Sequence, residues 1–181
     1  GSVQTWGNSS NGGNSSAVAS SISSNVVSVY TNYYAAAALK KDGSVITWGD
    51  ATYGGSSTAV ASSLTSGGVV VVTDINYSYA ALKNDGTVIT WGYTDSGFTL
   101  SSSVNLNNVV SVFTNNFAYA ALKLDGSVVT WGYSSNGGNS TGKGLSTAKV
   151  VSIVSGSYAF AALTSTGTVI TWGDSTYGGD S

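Results

Sequence analysis

The segment Ala38-Leu39-Lys40-Lys41-Asp42-Gly43-Ser44-Val45-Ile46-Thr47-Trp48-Gly49 decides the fold. Ala-Leu-Lys closes one extended run, Asp-Gly turns the chain, and an alternating Val-Ile-Thr-Trp run brings it back. The same string recurs as Ala81-Leu82 to Trp91-Gly92, Ala121-Leu122 to Trp131-Gly132 and Ala162-Leu163 to Trp172-Gly173, while Gly1 to Gly7 carries only its second half. Trp6, Trp48, Trp91, Trp131 and Trp172 are therefore 42, 43, 40 and 41 residues apart. A period of this size marks a repeat whose single unit cannot bury its apolar faces alone.

Working outward, each Ala-Leu run follows a Val-rich run such as Val26-Val27-Ser28-Val29 or Val109-Val110-Ser111-Val112, and each Trp-Gly precedes a Ser/Gly-rich excursion. Asp42-Gly43, Asp85-Gly86 and Asp125-Gly126 read as two-residue hairpins with Asp-Gly supplying positive φ; the fourth copy uses Thr166-Gly167. A unit is then a Val-rich strand, an Ala-rich strand and a Trp-bearing strand, with a short fourth strand expected near Ala59-Val60. The expected fold class is all-β: a β-propeller of four blade repeats, each an antiparallel sheet of three or four strands, with almost no helix. The chain reads as one repeat domain, 1–181, with units at 8–49, 50–92, 93–132 and 133–173 and partial copies at 1–7 and 174–181. The excursions show a longer period, because Asn8 to Ser15 returns at Tyr133 to Ser140 and Asp50 to Gly55 returns at Asp174 to Gly179. Duplication of a three-unit block accounts for that.

The combination Val-Val-Ser-Val, an aromatic, Ala-Ala-Leu-Lys, Asp-Gly-Ser-Val-x-x-Trp-Gly and a following Gly-Gly resembles the repeat of the regulator of chromosome condensation family. The resemblance covers all four units and implies a β-propeller with one blade per unit. Two departures stand out. The histidine that the family places four residues before the Leu is replaced by Ala35, Ser78, Ala118 and Ala159, and the units are shorter. Nucleotide exchange and chromatin binding, known for some members, find no matching residue here and are not carried over.

Composition narrows the chemistry. The 181 residues include no His, Cys, Met or Pro, and neither Arg nor Glu, so six Lys and eight Asp supply every charge. Without His or Cys the usual general base, nucleophilic thiol and zinc ligands are missing, and the reading is a protein that is not an enzyme and holds no metal or other cofactor. A net charge of −2 with scattered lysines argues against nucleic acid as a partner. No apolar run is long enough to span a membrane as a helix. No signal peptide is visible, and because the first residues already belong to the repeat, any targeting segment is expected to have been removed or to lie outside this sequence.

The recurrent tryptophans are read as core, whereas Tyr34, Tyr77, Phe117 and Tyr158 share one repeat position where an aromatic is read as a structural requirement, with a ligand cage as the alternative. Tyr53, Tyr93, Tyr133 and Tyr177 lie in the excursions beside Asn, Asp and Ser, where a ring can stack on a sugar or meet another chain, and they are the candidate binding residues. Asp50, Asp95, Asp174 and Asp180 are loop carboxylates without the closely spaced oxygen ligands that calcium needs. The expected function is a non-catalytic structural or interaction module of a large bacterial surface or secreted protein, extracellular or at the cell surface. A glycan-binding, lectin-like propeller is the alternative, and the regularity of the repeat also fits an engineered or reconstructed propeller without biological function. Expected partners are a second copy, closing a ring of eight blades, or neighbouring repeats of a longer chain, with a compact four-bladed monomer as the rival arrangement.

Overall fold

The computed structural model describes residues 1–95 and 106–180. The stretch 96–105 of the third unit and residue 181 lie outside the described residues. The chain divides into two compact units, Gly1–Tyr93 and Thr94–Ser181. The first contains β1 (Val26–Thr31), β2 (Ala35–Lys40), β3 (Val45–Gly49), β4 (Val69–Ile75), β5 (Ser78–Lys83) and β6 (Val88–Gly92). The second contains β7 (Val109–Thr114), β8 (Ala118–Lys123), β9 (Val128–Gly132), β10 (Val150–Ser155), β11 (Ala159–Thr164) and β12 (Val169–Gly173). They form four three-stranded antiparallel sheets, each in chain order, so every repeat is one meandering blade.

The expected fourth strand near Ala59-Val60 is instead helical. Thr58–Val60 is a 3₁₀ turn that runs into the helix α1 (Ala61–Thr65). The reason is spacing: Val60 and Leu64 stand four apart, on one helical face. Leu64 is fully buried in the core between blades one and two, and Val60 packs against it. Val18 and Ile22 repeat the spacing in the first excursion, where Ser16–Val18 is a turn and Ile22 is buried. All other helix among the described residues consists of turns of three to five residues.

The hairpins also differ from the two-residue form. Gly43 N–H donates to Lys40 O at 3.0 Å and Lys40 N–H to Ser44 O at 2.9 Å. Only Gly43 of the loop has positive φ, at 77°. This is a three-residue loop, a tight turn followed by a left-handed glycine. Asp42 acts through its side chain, whose Oδ1 accepts from Ser44 N–H at 3.0 Å and Ser44 Oγ–H at 2.7 Å. A Cβ on Gly43 would also lie 2.5 Å from Gly68 N, because the hairpin of blade one packs on the start of β4.

The Ala-rich strands explain the architecture. Ala35, Ala37 and Leu39 point one way from β2, into a cluster with Val69, Val72, Tyr79, Ala81 and Trp91 of blade two. Ala36 and Ala38 point the other way, joining Trp48, Ile22 and Val26. A middle strand with a neighbour on each face has room for little beyond methyl groups, so the sequence there is small and apolar without alternation. The second unit repeats this: Ala118, Ala120 and Leu122 meet Ile153, Phe160, Ala162 and Trp172.

Four of the recurrent tryptophans sit as expected, with Trp48, Trp91, Trp131 and Trp172 no more than 5% exposed. Trp6 does not; it is 85% exposed. Residues 1–7 carry the letters of a third strand but join no sheet among the described residues. Val3 N–H donates to Ile22 O at 3.0 Å and the Gly1 amine to Val26 O at 2.6 Å, which fixes the segment but leaves Trp6 outside.

Candidate functional site

The candidate tyrosines lie where the chain enters each middle strand and leaves each Trp-bearing strand, at one end of the blades. An asparagine shapes the entry. Asn32 Oδ1 accepts from Tyr34 N–H at 2.9 Å and Ala35 N–H at 2.8 Å, while its Nδ2 donates to Tyr53 O at 2.8 Å. Asn115 does the same in blade three, donating to Asn136 O at 2.7 Å. Sequence reasoning missed both; the available signal was an Asn three residues before the Ala-rich strand. The exit is a tight turn: Asp50 Oδ1 accepts from Thr52 N–H at 2.8 Å, and Asp50 O from Gly55 N–H at 2.7 Å.

These turns bring the two sets of aromatics together. Tyr53 stacks on Tyr34 with ring centroids 4.3 Å apart and on Tyr93 at 5.4 Å, and lies 5.7 Å from Tyr77. Entry and exit rings thus interleave into a ladder, each holding an excursion against a strand entry. In the second unit Phe117 stacks on Tyr158 at 5.8 Å, and Tyr158 meets Tyr177 at 4.7 Å. The consequence for binding is direct. Tyr53 has one ring face on Tyr34 and the other toward Tyr93, which removes it as a free stacking platform. Tyr133 and Tyr177 are more open, at 45% and 62% exposed.

Beneath the ladder blades one, two and four are latched to the excursion before them. Trp48 Nε1–H donates to Gly12 O at 2.9 Å, Trp91 to Gly54 O at 3.2 Å and Trp172 to Gly137 O at 3.2 Å. Buried Trp131 Nε1 has no partner among the described residues. In three blades a second ring lies on the tryptophan: Tyr79 on Trp91, Tyr119 on Trp131 and Phe160 on Trp172, at 5.1, 4.8 and 5.2 Å. These three rings are at most 2% exposed, and the sequence reading did not single them out.

The carboxylates divide into two kinds. Hydrogen bonds from Ser44, Thr87 and Ser127 hold Asp42, Asp85 and Asp125 below the usual carboxylate range. Asp74, on β4 opposite Tyr79, is pushed up to about 6 by burial. The other blades place Thr31, Thr114 and Ser155 there. The unfolded chain ionises Asp74 near 3.8, so its penalty appears as pH rises from about 4 to 6 and persists above. The three lowered groups act oppositely, and the stability they add at neutral pH is lost as pH falls below about 4. Stability is therefore expected to peak near pH 4. Asp74→Thr should remove the decline between about pH 4 and 6 and add about 1 kcal/mol at pH 7, less than the full shift because the carboxyl keeps some solvent. Urea midpoints measured across pH check this.

Asp50 and Asp174 cap turns through Thr52 and Thr176, and Asp180 pairs with Lys143 at 3.1 Å. Among the described residues no group of three or more Asp side chains gathers where a metal ion would sit. Nor is any described helix long and apolar enough to cross a membrane.

The regulator of chromosome condensation (RCC1) repeat model matches residues 150–178, which are blade four and its following turn. Among solved structures, the chain is similar to the ectodomain of the receptor kinase CR4 from Physcomitrella patens. The two are 18% identical with a TM-score of 0.54, over 84% of this chain and 40% of that one. It is similar to human WBSCR16 at 20% identity and a TM-score of 0.51, over 82% and 47% of the two chains. It is also similar to Prp20p of Saccharomyces cerevisiae, described with its binding properties to Gsp1p and histones. There the identity is 17% and the TM-score 0.54, over 82% and 45%. The chain thus spans less than half the length of these three proteins. No curated protein sequence matches it. Blade four thus matches the RCC1 repeat, and the chain shares an RCC1-like β-propeller fold with these solved structures.

Proposed function

We propose that these RCC1-like repeats form a non-catalytic interaction module of a bacterial surface or secreted protein, one that takes a further blade on the outer face of blade four. The observation carrying this is the state of that face. In blades one and three the outward-facing pairs Leu39 with Val45 and Leu122 with Val128 are at most 8% exposed, buried by the next blade. Their counterparts in blade four, Leu163 and Val169, pair across β11 and β12 yet are 41% and 57% exposed. An apolar sheet face of this kind drives association. A second copy or a neighbouring repeat brings the same Val-rich and Ala-rich strands that cover the face elsewhere. The aromatic ladder supports the non-catalytic side of the reading, since it turns its rings toward one another. The lectin-like alternative retains Tyr133 and Tyr177, while Tyr53 is committed to packing.

Light scattering tests the association. The protein should run at a multiple of its 18.2 kDa mass. Leu163→Asp should return it to that mass with an unchanged circular dichroism spectrum. A wild-type protein that stays monomeric at high micromolar concentration would refute the proposal.

A further inference from the structure

Blade one lacks a ring that the other three blades possess. Tyr79, Tyr119 and Phe160 lie nearly parallel to their tryptophans, with interplanar angles of 12°, 11° and 13°. The residue at this place in blade one is Ala36, paired with Thr31 across the strands as Tyr79 is with Asp74. Among the described residues nothing else fills the gap. A cavity of about 250 Å³ opens beside Trp48, bounded by Val3, Trp6, Gly12, Thr31 and Ala36.

The excursion glycine gives an independent measure of the vacancy. A Cβ on Gly54 would lie 2.7 Å from the Tyr79 ring, and one on Gly137 would lie 2.7 Å from Phe160. Both glycines therefore rest on an aromatic face. A Cβ on Gly12 would meet nothing nearer than Trp48 Nε1 at 3.7 Å and Ala36 Cβ at 3.8 Å. The turn and its hydrogen bond from Trp48 to Gly12 O are in place, and only the ring between them is absent.

We propose that this slot is a binding site for an aromatic side chain, tyrosine or phenylalanine, presented by a partner polypeptide. The chemistry follows from the blades that carry their own ring. In blades two and four the same indole, the same excursion glycine and the same strand pair hold a six-membered aromatic ring in parallel contact. Tyrosine has a polar outlet as well: Tyr79 Oη–H donates to Ala35 O at 2.6 Å, and the blade-one cavity has Gln4, Thr5, Asn8, Asn11 and Asn32 around it. Exposed Trp6 stands at the mouth, where it can close over a bound side chain. Ala36 points to the face of β2 opposite Leu39, and Leu39 is the blade-one counterpart of Leu163. The slot goes beyond the association proposed above, since the middle strand of blade four offers only Ala159, Ala161 and Leu163 outward and no ring.

The test uses the whole chain and p-cresol, the tyrosine side-chain analogue, followed through the indole N–H signals in ¹H–¹⁵N spectra. Trp6→Phe, which alters an exposed ring, assigns the Trp6 signal. The expected result is a saturable shift of the Trp48 signal with those of Trp91, Trp131 and Trp172 unmoved. Ala36→Tyr should abolish that shift and raise the melting temperature, because the chain then supplies its own ring. An absence of saturable binding would overturn the proposal, as would an Ala36→Tyr variant that still binds p-cresol or melts lower than wild type. Methyl β-glucoside saturating the same signal at lower concentration would reassign the slot to a sugar. Loss of self-association in Ala36→Tyr would reassign it to a second copy of this chain.

Discussion

Trp91→Ala is expected to lower the unfolding free energy of the first unit by about 3–5 kcal/mol, the range for losing a fully packed aromatic ring. The indole is 4% exposed, stacks on Tyr79 at 5.1 Å and donates to Gly54 O at 3.2 Å. Truncation opens a cavity between two blades and also strips a hydrogen bond from a carbonyl in the excursion. Neither loss can be repaired by collapse, because the neighbouring Ala81 has no length with which to follow. Trp6→Ala is the control in the same repeat position; with 85% of that ring in solvent it should change stability by less than about 0.5 kcal/mol. Urea unfolding of both variants, read by far-ultraviolet circular dichroism, separates the two. Equal losses would refute the assignment of Trp91 as an inter-blade latch.

The second large effect is expected at the second glycine of the Gly-Gly pairs. A Cβ on Gly55 would stand 2.3 Å from Gly49 O and 2.4 Å from Gly49 C. Backbone atoms cannot rotate out of the way, so Gly55→Ala must push the excursion off the end of β3, at about 3 kcal/mol or more. Gly13, Gly138 and Gly179 meet the carbonyls of Gly7, Gly132 and Gly173 in the same manner. Conformation is not the cause, since Gly55 lies outside the left-handed region. Gly142→Ala supplies the comparison: its φ is 83° and nothing lies within 4 Å, so that substitution should cost only the conformational penalty of about 1–2 kcal/mol. Comparable denaturation midpoints for the two variants would show that the close approach carries no weight.

These glycines illustrate what a single sequence can and cannot disclose. The period of the tryptophans and the strand–turn–strand pattern ending in Trp-Gly were legible because a blade repeats its letters whenever it repeats its contacts. The fourth strand was misread because a Ser/Thr-rich stretch shows little but its composition, and only the four-residue spacing of Val60 and Leu64 betrays the helix. Trp6 was misread for a different reason. Its letters match the repeat, but burial depends on a neighbouring strand that the letters do not mention. The candidate site was half legible. Tyr34 and Tyr53 belong to two separate series in the sequence, one structural and one a candidate for binding, and only the turns pinned by Asn32 and Asp50 interleave them. Asp74 and the slot at Ala36 were visible in principle as breaks in the repeat, a carboxylate among hydroxyls and a methyl among rings.

The latch from Trp48, Trp91 and Trp172 to the excursion ahead of each has a consequence for how copies of this unit can be gained or lost. The segment that carries its own latch is 50–92, from Asp50 through Gly92, and it begins in a turn rather than at a strand. A gene segment excised or inserted between Gly49 and Asp50, and again after Gly92, moves acceptor and donor together and leaves a matched junction on both sides. A cut placed inside the excursion, between Gly54 and Leu64, would part the carbonyl from its indole and the helix from its pocket. Copy number can then change by whole cassettes with one reading frame of contacts preserved, which makes the boundary after Trp-Gly the place where grafting or circular permutation should leave a folded protein.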